Sequence, residues 1–464
     1  MHAQMTDNSL QSGSTFPTPY LHRGQSSYAA SDRRYRSEFY LKLLMATLFL
    51  PEGLSLFVGD FRLPPVRILL IFLSIAAVAR FVKTHNLPDR VRTPSDFFAL
   101  AAGFWMILAM VVSEGVADGL KGGTALAIDF TGAYLAFRYL LGTVDSSVQV
   151  IRYASIFVVI AVGLAFFDPL TGQLFTYEMV KKITGYVKPG LEEMFASGAE
   201  SVFRNGTVRA QGPLEHSILL GAVCAWFGTL ALFTFPRQLF GKSIAAVALV
   251  GILISQARGP LVAYAMGIGL AAFYASTKQF PARWKVLGSL VAVGLLAVLV
   301  ASRNPVATLL QLGGLDPSAG WYREAIWETA GPVVLQSPLF GIGLADWGWE
   351  QSDVLLGSTV DSLWLATALI IGIPSSILVC LTMIGAFWTG PIDGSPSLSP
   401  REQRLSVALG IVVSTAVFLG FTVHFWGACW ILLGAFPGMR ANLAEAAIIR
   451  EREAALHLAE LENG

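Results

Sequence analysis

The chain has 464 residues, 54% of them hydrophobic and only 14% charged, against roughly 25% charged in an ordinary soluble domain. That balance excludes a water-soluble globular fold, and a formal net charge of +1 carries no bias toward nucleic acid. Hydrophobic stretches of about 17 to 25 residues recur along most of the length, each able to cross a hydrocarbon core of roughly 30 Å. The expected fold is all-α: one polytopic transmembrane unit with tails and loops.

Residues 1–38 are Ser-rich and polar, with Arg33, Arg34 and Arg36 just before the first apolar run. They read as a disordered cytoplasmic tail and not as a signal peptide. About twelve spans follow, near 39–57, 66–83, 96–113, 122–141, 148–166, 214–235, 243–257, 259–276, 286–302, 362–388, 406–421 and 423–436. With this count the basic groups Arg33/Arg34/Arg36, Lys83/Arg90/Arg92, Arg237/Lys242, Lys278/Arg283/Lys285, Arg401/Arg404 and Arg440 fall on one side. The positive-inside rule makes that side the cytoplasm, with both termini there. Residues 243–276 decide the parity. As one helix they would run roughly 51 Å at 1.5 Å per residue, too long for a bilayer, so a hairpin is expected, turning at "SQARGP", Ser255 to Pro260.

Two segments are too long and polar to be spans, and both land outside: about 167–213 and about 303–361. The first holds "YEMVKKITGYVKPGLEEMF", an amphipathic stretch broken at Pro189 and Gly190. The second places Trp321, Arg323, Trp347 and Trp349 among Gly and Pro. Long ordered loops are commonly functional. Residues 437–464 read as a cytoplasmic amphipathic helix, and 39–436 as the membrane domain. No 20 to 50 residue repeat supports an inverted-repeat transporter. The three cysteines, Cys224, Cys380 and Cys429, lie in apolar segments and suggest no disulfide framework.

Charges at membrane depth are costly and therefore informative. Arg258, in the hairpin turn, is suited to phosphate oxygens, or is a snorkelling anchor. Arg204 and Arg209 precede an outward helix start and could bind an anion. Glu215 and His216 follow, and either could move a proton, although Glu215 could equally cap the helix and His216 sit in the interface. Arg323 lies on an expected short helix whose Trp321, Ile326 and Trp327 could pack on the membrane surface. It is either a second anion ligand or a partner for Glu324 or Glu328. Asp361, at a helix start, is either an N-cap or a carboxylate able to deprotonate a hydroxyl. Asp129 and Arg138, with Lys42 and Glu52, are further intramembrane charges that pair internally or line a pathway. No spacing identifies a metal site, P-loop or dinucleotide fingerprint.

Four pieces in order, "RAQGPLEHSILLG", "SQARGPLVA", "WYREAIWETAGPVVLQSPLFGIG" and "VDSLWLATALIIGIP", carry a resemblance to the O-antigen ligase and polymerase family of bacterial polysaccharide assembly. It spans roughly residues 40–435. The resemblance implies a GT-C-like membrane glycosyltransferase of the bacterial inner membrane, working at its periplasmic face. The donor would be an undecaprenyl-diphosphate-linked glycan, with neither metal nor other cofactor. The matching arginines are Arg209, Arg258 and Arg323, with Arg204 beside them, as diphosphate ligands. One departure stands out: ligases of the family carry a late-loop histidine, residues 303–361 have none, and Asp361 occupies the corresponding position.

The resemblance implies an inverting polymerase that extends an O-antigen, capsule or exopolysaccharide chain. Asp361, or else Glu215 or His216, would assist the attacking hydroxyl. Trp321, Trp347 and Trp349 would stack on sugars or anchor at the interface. A flippase and a chain-length regulator of the same pathway are the implied protein partners, beside membrane lipids. The rivals are a ligase delivering glycan to lipid A core or protein and, from another class, a lipid-linked oligosaccharide flippase.

Overall fold

The computed structural model describes residues 37–58, 61–84, 91–280, 282–302, 308, 317–348, 360–387 and 398–463. The expected tail at 1–36 and Trp349 lie outside the described residues. Helix α1 covers 37–47. A hairpin of β1 (Leu56–Val58) and β2 (Phe61–Leu63), paired antiparallel, leads to α2 (Pro65–Thr84) and α3 (Pro94–Glu114). Next come α4 (Val116–Ala127), a π turn over Ile128–Gly132, α5 (Ala133–Tyr139) and α6 (Val144–Ala165). The region between α6 and α10 is folded. It contains α7 (Phe167–Thr171), α8 (Phe175–Thr184), α9 (Leu191–Ala196) and a second hairpin of β3 (Phe203–Arg204) and β4 (Thr207–Val208). Helices α10 (Ser217–Thr234), α11 (Leu239–Ser255), α12 (Arg258–Ser276), α13 (Arg283–Ala301), α14 (Pro317–Gln336), α15 (Leu363–Gly385), α16 (Pro400–Leu419) and α17 (Gly427–Asn463) complete the chain.

Eight helices among the described residues are long and apolar enough to cross a membrane: α2, α3, α6 with α7, α10, α12, α13, α15 and α16. The other expected spans coincide with helices that are shorter or interrupted: α1, α4 with its π turn and α5, the 17-residue α11, and the first part of α17. Two expectations change. No break separates a membrane helix from a tail helix at residue 437, because α17 runs 37 residues through Pro437, roughly 55 Å. Its continuation is no free surface helix at first. Arg440 and Glu445 are buried, and Asn442 donates to the Arg138 and Leu141 carbonyls at 3.0 and 3.1 Å.

The hairpin at 243–276 is present. Gly221 of α10 abuts Pro260, Gly251 of α11 abuts Cys224, and Gly228 abuts both Ala248 and Tyr264. Passing down α10, its partners on α11 descend in number while those on α12 ascend, so α11 and α12 are antiparallel. Glycine at these crossings lets helix backbones approach without a hydrophobic driving force, as membrane helices require. The Tyr264 hydroxyl donates to the Ala245 carbonyl at 2.8 Å, linking the two arms. Gln256 makes the turn with φ 52°.

Intramembrane charges pair internally. Arg67 grips Asp129 with two bonds of 3.0 and 2.6 Å. Arg138 binds Asp96 at 2.9 Å and also Glu445, and the Tyr134 hydroxyl donates to Asp96 at 2.7 Å. Such pairs avoid leaving a lone charge in hydrocarbon. Lys42 pairs with Glu38 one turn away, whereas Glu52 sits in a surface network described below.

Candidate active site

The segment between α6 and α10 is tied to the α11–α12 turn. Asn205 and Gly206 both take positive φ, 51° and 74°, as a tight two-residue hairpin needs, and this folds β4 back beside β3. Arg204 donates to the Gln256 carbonyl at 2.7 Å, Arg209 to the Ser255 carbonyl at 3.2 Å, and the Ala210 amide to the Ile254 carbonyl at 3.1 Å. Gln256 returns a side-chain bond to Thr207 at 2.7 Å. The hairpin thus satisfies carbonyls that α11 leaves open at its end. Asp168 holds the other side of the segment. Its buried carboxylate accepts from the amides of Phe175, Gln211 and Gly212 at 2.8, 2.9 and 2.9 Å. Nothing in the sequence reading singled out Asp168; its only signal was an acid beside Pro169 at the end of an apolar run.

Helix α15 and the segment that follows α14 form a receptor and its insert. Helix α15 breaks at Ile371 and Gly372 (φ 82°) ahead of Pro374. The segment Pro338–Gly343 fills the break. Ile342 and Gly343 donate to the Leu369 and Ile370 carbonyls at 2.8 and 3.0 Å, and Ile373 donates to the Pro338 carbonyl at 2.8 Å. Phe340 stacks on Trp105 of α3, whose indole donates to the Leu339 carbonyl at 3.2 Å. The two runs quoted as "PLFGIG" and "LIIGIP" are therefore each other's hydrogen-bond partners. Helix α14 lies along the N-terminal half of α15, with Ala325, Ile326, Ala330 and Val334 packed against Leu365, Ala366 and Leu369. The sequence pattern sets Ile326 on the membrane surface and the helix as short; instead Ile326 is buried against α15 and the helix is 20 residues long.

These two constructions bring Arg204, Arg209, Arg258, Arg323 and Asp361 within electrostatic reach of one another. Arg209 is buried, spends two donors on carbonyls (Ser255 and Glu200), and is pushed down to about 10 by burial and by Arg204. Arg258, the first residue of α12, is exposed. Burial lowers Arg323, while Asp361 opposes that shift and Arg204 and Arg258 add to it. Four guanidinium groups stand against the Asp361 carboxylate and, on the Arg204 and Arg209 side, Glu200, so positive charge is in surplus among these described residues.

Asp361 is not the cap of α15. Ser362 takes that role, accepting from the Leu365 amide at 3.4 Å. The start of α15 is pinned by Leu363, whose amide donates to the Gly420 and Val423 carbonyls at 2.7 and 2.9 Å. Relieved of capping, the Asp361 carboxyl is raised by burial, against the lowering influence of Arg323, Arg209 and Arg204.

Glu215 and His216 divide otherwise than expected. His216, not Glu215, caps α10, its Nδ1 accepting from the Ile218 amide at 3.1 Å. Burial, then Arg209, Lys188 and Arg204, push it down to about 3. A neutral ring whose Nδ1 is engaged is poorly placed to take a proton. Glu215 belongs to a neighbouring network that the sequence reading missed. Arg62 bridges Glu52 and Glu215, Lys188 donates to the Glu215 carbonyl at 2.8 Å, and Tyr186 donates to Glu52 at 3.0 Å. Its sequence signal was Arg62, a lone cation in a short link between spans. Of the tryptophans, Trp321 is exposed, whereas Trp347 is buried in the α14–α15 cluster, its ring committed to packing.

Among the described residues, no group of three His, Cys, Asp or Glu could hold a metal ion. Residues 243–380 match a family model described as O-Antigen ligase. The matched stretch runs from α11 to the middle of α15 and contains Arg258, Arg323, Asp361 and the interlocked glycine runs. No curated protein matches the chain.

Proposed function

From the O-antigen ligase family segment at residues 243–380, which supports the O-antigen ligase and polymerase family, we propose that this membrane protein transfers glycan from a polyprenyl-diphosphate-linked donor to a growing lipid-linked chain. The observation that carries the reading is the cluster of Arg204, Arg209, Arg258 and Arg323 around Asp361. The diphosphate sits against Arg258 and Arg323, with Arg209 fixing the turn that presents Arg258. As the anomeric C–O bond to the diphosphate breaks, the leaving group takes the electron pair and the guanidinium charges stabilise it; fixed cations at developing charge are the main catalytic term of such sites. An acceptor hydroxyl attacks the opposite face of the anomeric carbon, forms the new glycosidic bond and gives its proton to Asp361. The configuration inverts, and the step calls on no metal. The cluster faces the periplasm in the orientation that the positive-inside rule gives.

A ligase, attaching finished glycan to lipid A core or protein, is the second reading, favoured by the description of the matched family. The carboxylate at Asp361, where a ligase would carry histidine, supports polymerisation. In a deletion strain, single-repeat lipid-linked units accumulate if the protein is a polymerase, and full-length unattached polymer if it is a ligase. In detergent, Arg258→Ala should lower elongation by about 10²-fold or more; full activity in that variant would refute the diphosphate assignment.

A further inference from the structure

At the opposite end of the bundle from Arg258 lies a cavity of about 680 Å³, within the roughly 300–1,000 Å³ of small-molecule sites. Its wall joins the end of α10, the α10–α11 turn, the end of α12 and the start of α16. Arg237, Lys278, Arg401 and Arg404 line it, and no lining residue is acidic.

Of the four, Arg401 is paired with Asp145 at 2.5 Å, whereas Arg237, Lys278 and Arg404 form no ion pair among the described residues. Lys278 stands 6.0 Å from the centre of the Tyr274 ring, which Arg283 also covers at 4.6 Å. The nearest carboxylate in sequence, Glu402, is turned to Arg450, with two bonds of 2.8 Å, and to the Ser399 amide. The Arg404 Nε is buried with no acceptor among the described residues, a costly state that an anionic ligand relieves. Beside this charge the surroundings are apolar. Phe233 and Ala271 belong to the wall, and Leu239 and Phe280, close by in sequence, are exposed at 79% and 57%.

We propose that this cavity binds the phosphate of an anionic phospholipid from the cytoplasmic leaflet. The phosphodiester lies among Arg237, Arg404 and Lys278, and the acyl chains reach the bilayer past Leu239 and Phe280. Basic pockets between membrane helices on the cytoplasmic side have the chemistry for such headgroups. A soluble phosphate ester would use the same cations but would gain nothing from the apolar surroundings, and the two sources are separable.

The full-length protein in detergent is stripped of lipid, incubated with phosphatidylglycerol or phosphatidylcholine, and the lipid retained is counted by native mass spectrometry. The wild type should retain phosphatidylglycerol about tenfold better than phosphatidylcholine, and the Arg237→Gln/Arg404→Gln variant should lose that preference. Lys278→Gln, at an end of α12 where folding is not at stake, should weaken it about threefold. Equal retention of the two lipids, or an unchanged preference in both variants, overturns the site. Displacement of phosphatidylglycerol by millimolar inorganic phosphate in the wild type overturns the lipid as its occupant.

Discussion

At the scale of single residues, the division between Asp361 and His216 makes the sharpest predictions. A general base works as the carboxylate, and burial raises Asp361, so elongation should fall as pH drops through a value above the ordinary ~4 of an aspartate. Arg323 is the strongest influence lowering Asp361. Arg323→Gln should therefore move this acid limb to higher pH as well as slow the reaction, and Asp361→Asn should cost about 10²- to 10⁴-fold with the protein still folded. An unmoved limb in Arg323→Gln, read from the pH–rate profile, would dissociate the two groups. For His216 the sign concerns stability. Its folded value of about 3 lies below the unfolded ~6.5, so the unfolded chain takes up the proton first and stability is lost as pH falls below about 6.5. His216→Asn, which keeps a cap acceptor, should flatten the dependence of thermal stability on pH between 7.5 and 5, while His216→Ala should also cost about 1 kcal/mol through the lost cap. The arginines were legible in the sequence as charges out of place, but their division of labour was not. Arg209 and Arg258 look alike as letters, and only the Ser255 and Glu200 carbonyls mark the first as an internal brace.

At the scale of elements, the spans could be read from hydropathy because hydrocarbon demands a fixed length of apolar helix, and the α11–α12 turn from length alone. The α14–α15 pairing could not. Ile326 and Trp327 have the pattern of a surface helix, and whether the covering phase is lipid or protein is a tertiary fact. Nor could the interlock, whose bonds run between backbones and leave only glycine as a trace. At Gly372 the positive φ and the nearby Leu339 carbonyl both forbid a side chain. Gly372→Ala should destabilise the protein by roughly 2–4 kcal/mol, measured as a loss of thermal stability in detergent. A neutral result would mean that the insert and its receptor are not mutually held.

At the scale of the whole molecule, the two ends of the bundle carry different chemistry. One gathers Arg204, Arg209, Arg258, Arg323 and Asp361; the other holds Arg237, Lys278, Arg401 and Arg404. Assignment of the first to the outside is testable with cysteine substitutions, since native Cys224 and Cys429 are buried and Cys380 lies within α15. Thr207→Cys should react with an impermeant thiol reagent in intact cells, and Lys278→Cys only after the membrane is opened. The reverse pattern would turn the catalytic reading inside out. Parity is a sequence expectation, drawn from the sorting of positive charge across the membrane, and the labelling pattern decides it. The convergence of distant loops on one end was accessible only as its consequence.

The broken α15 has a bearing on how loss-of-function mapping is interpreted. While the chain is being inserted, the carbonyls of Leu369 and Ile370 have no helical partner and depend on Ile342 and Gly343, made some thirty residues earlier. Without that insert, two peptide oxygens are stranded in oil, at several kcal/mol each. Shortening the segment between α14 and α15 through 338–343 should therefore deplete the polypeptide from the membrane before any turnover is measured. An inactive deletion there reports on biogenesis, and abundance by immunoblot has to be established before catalysis is discussed.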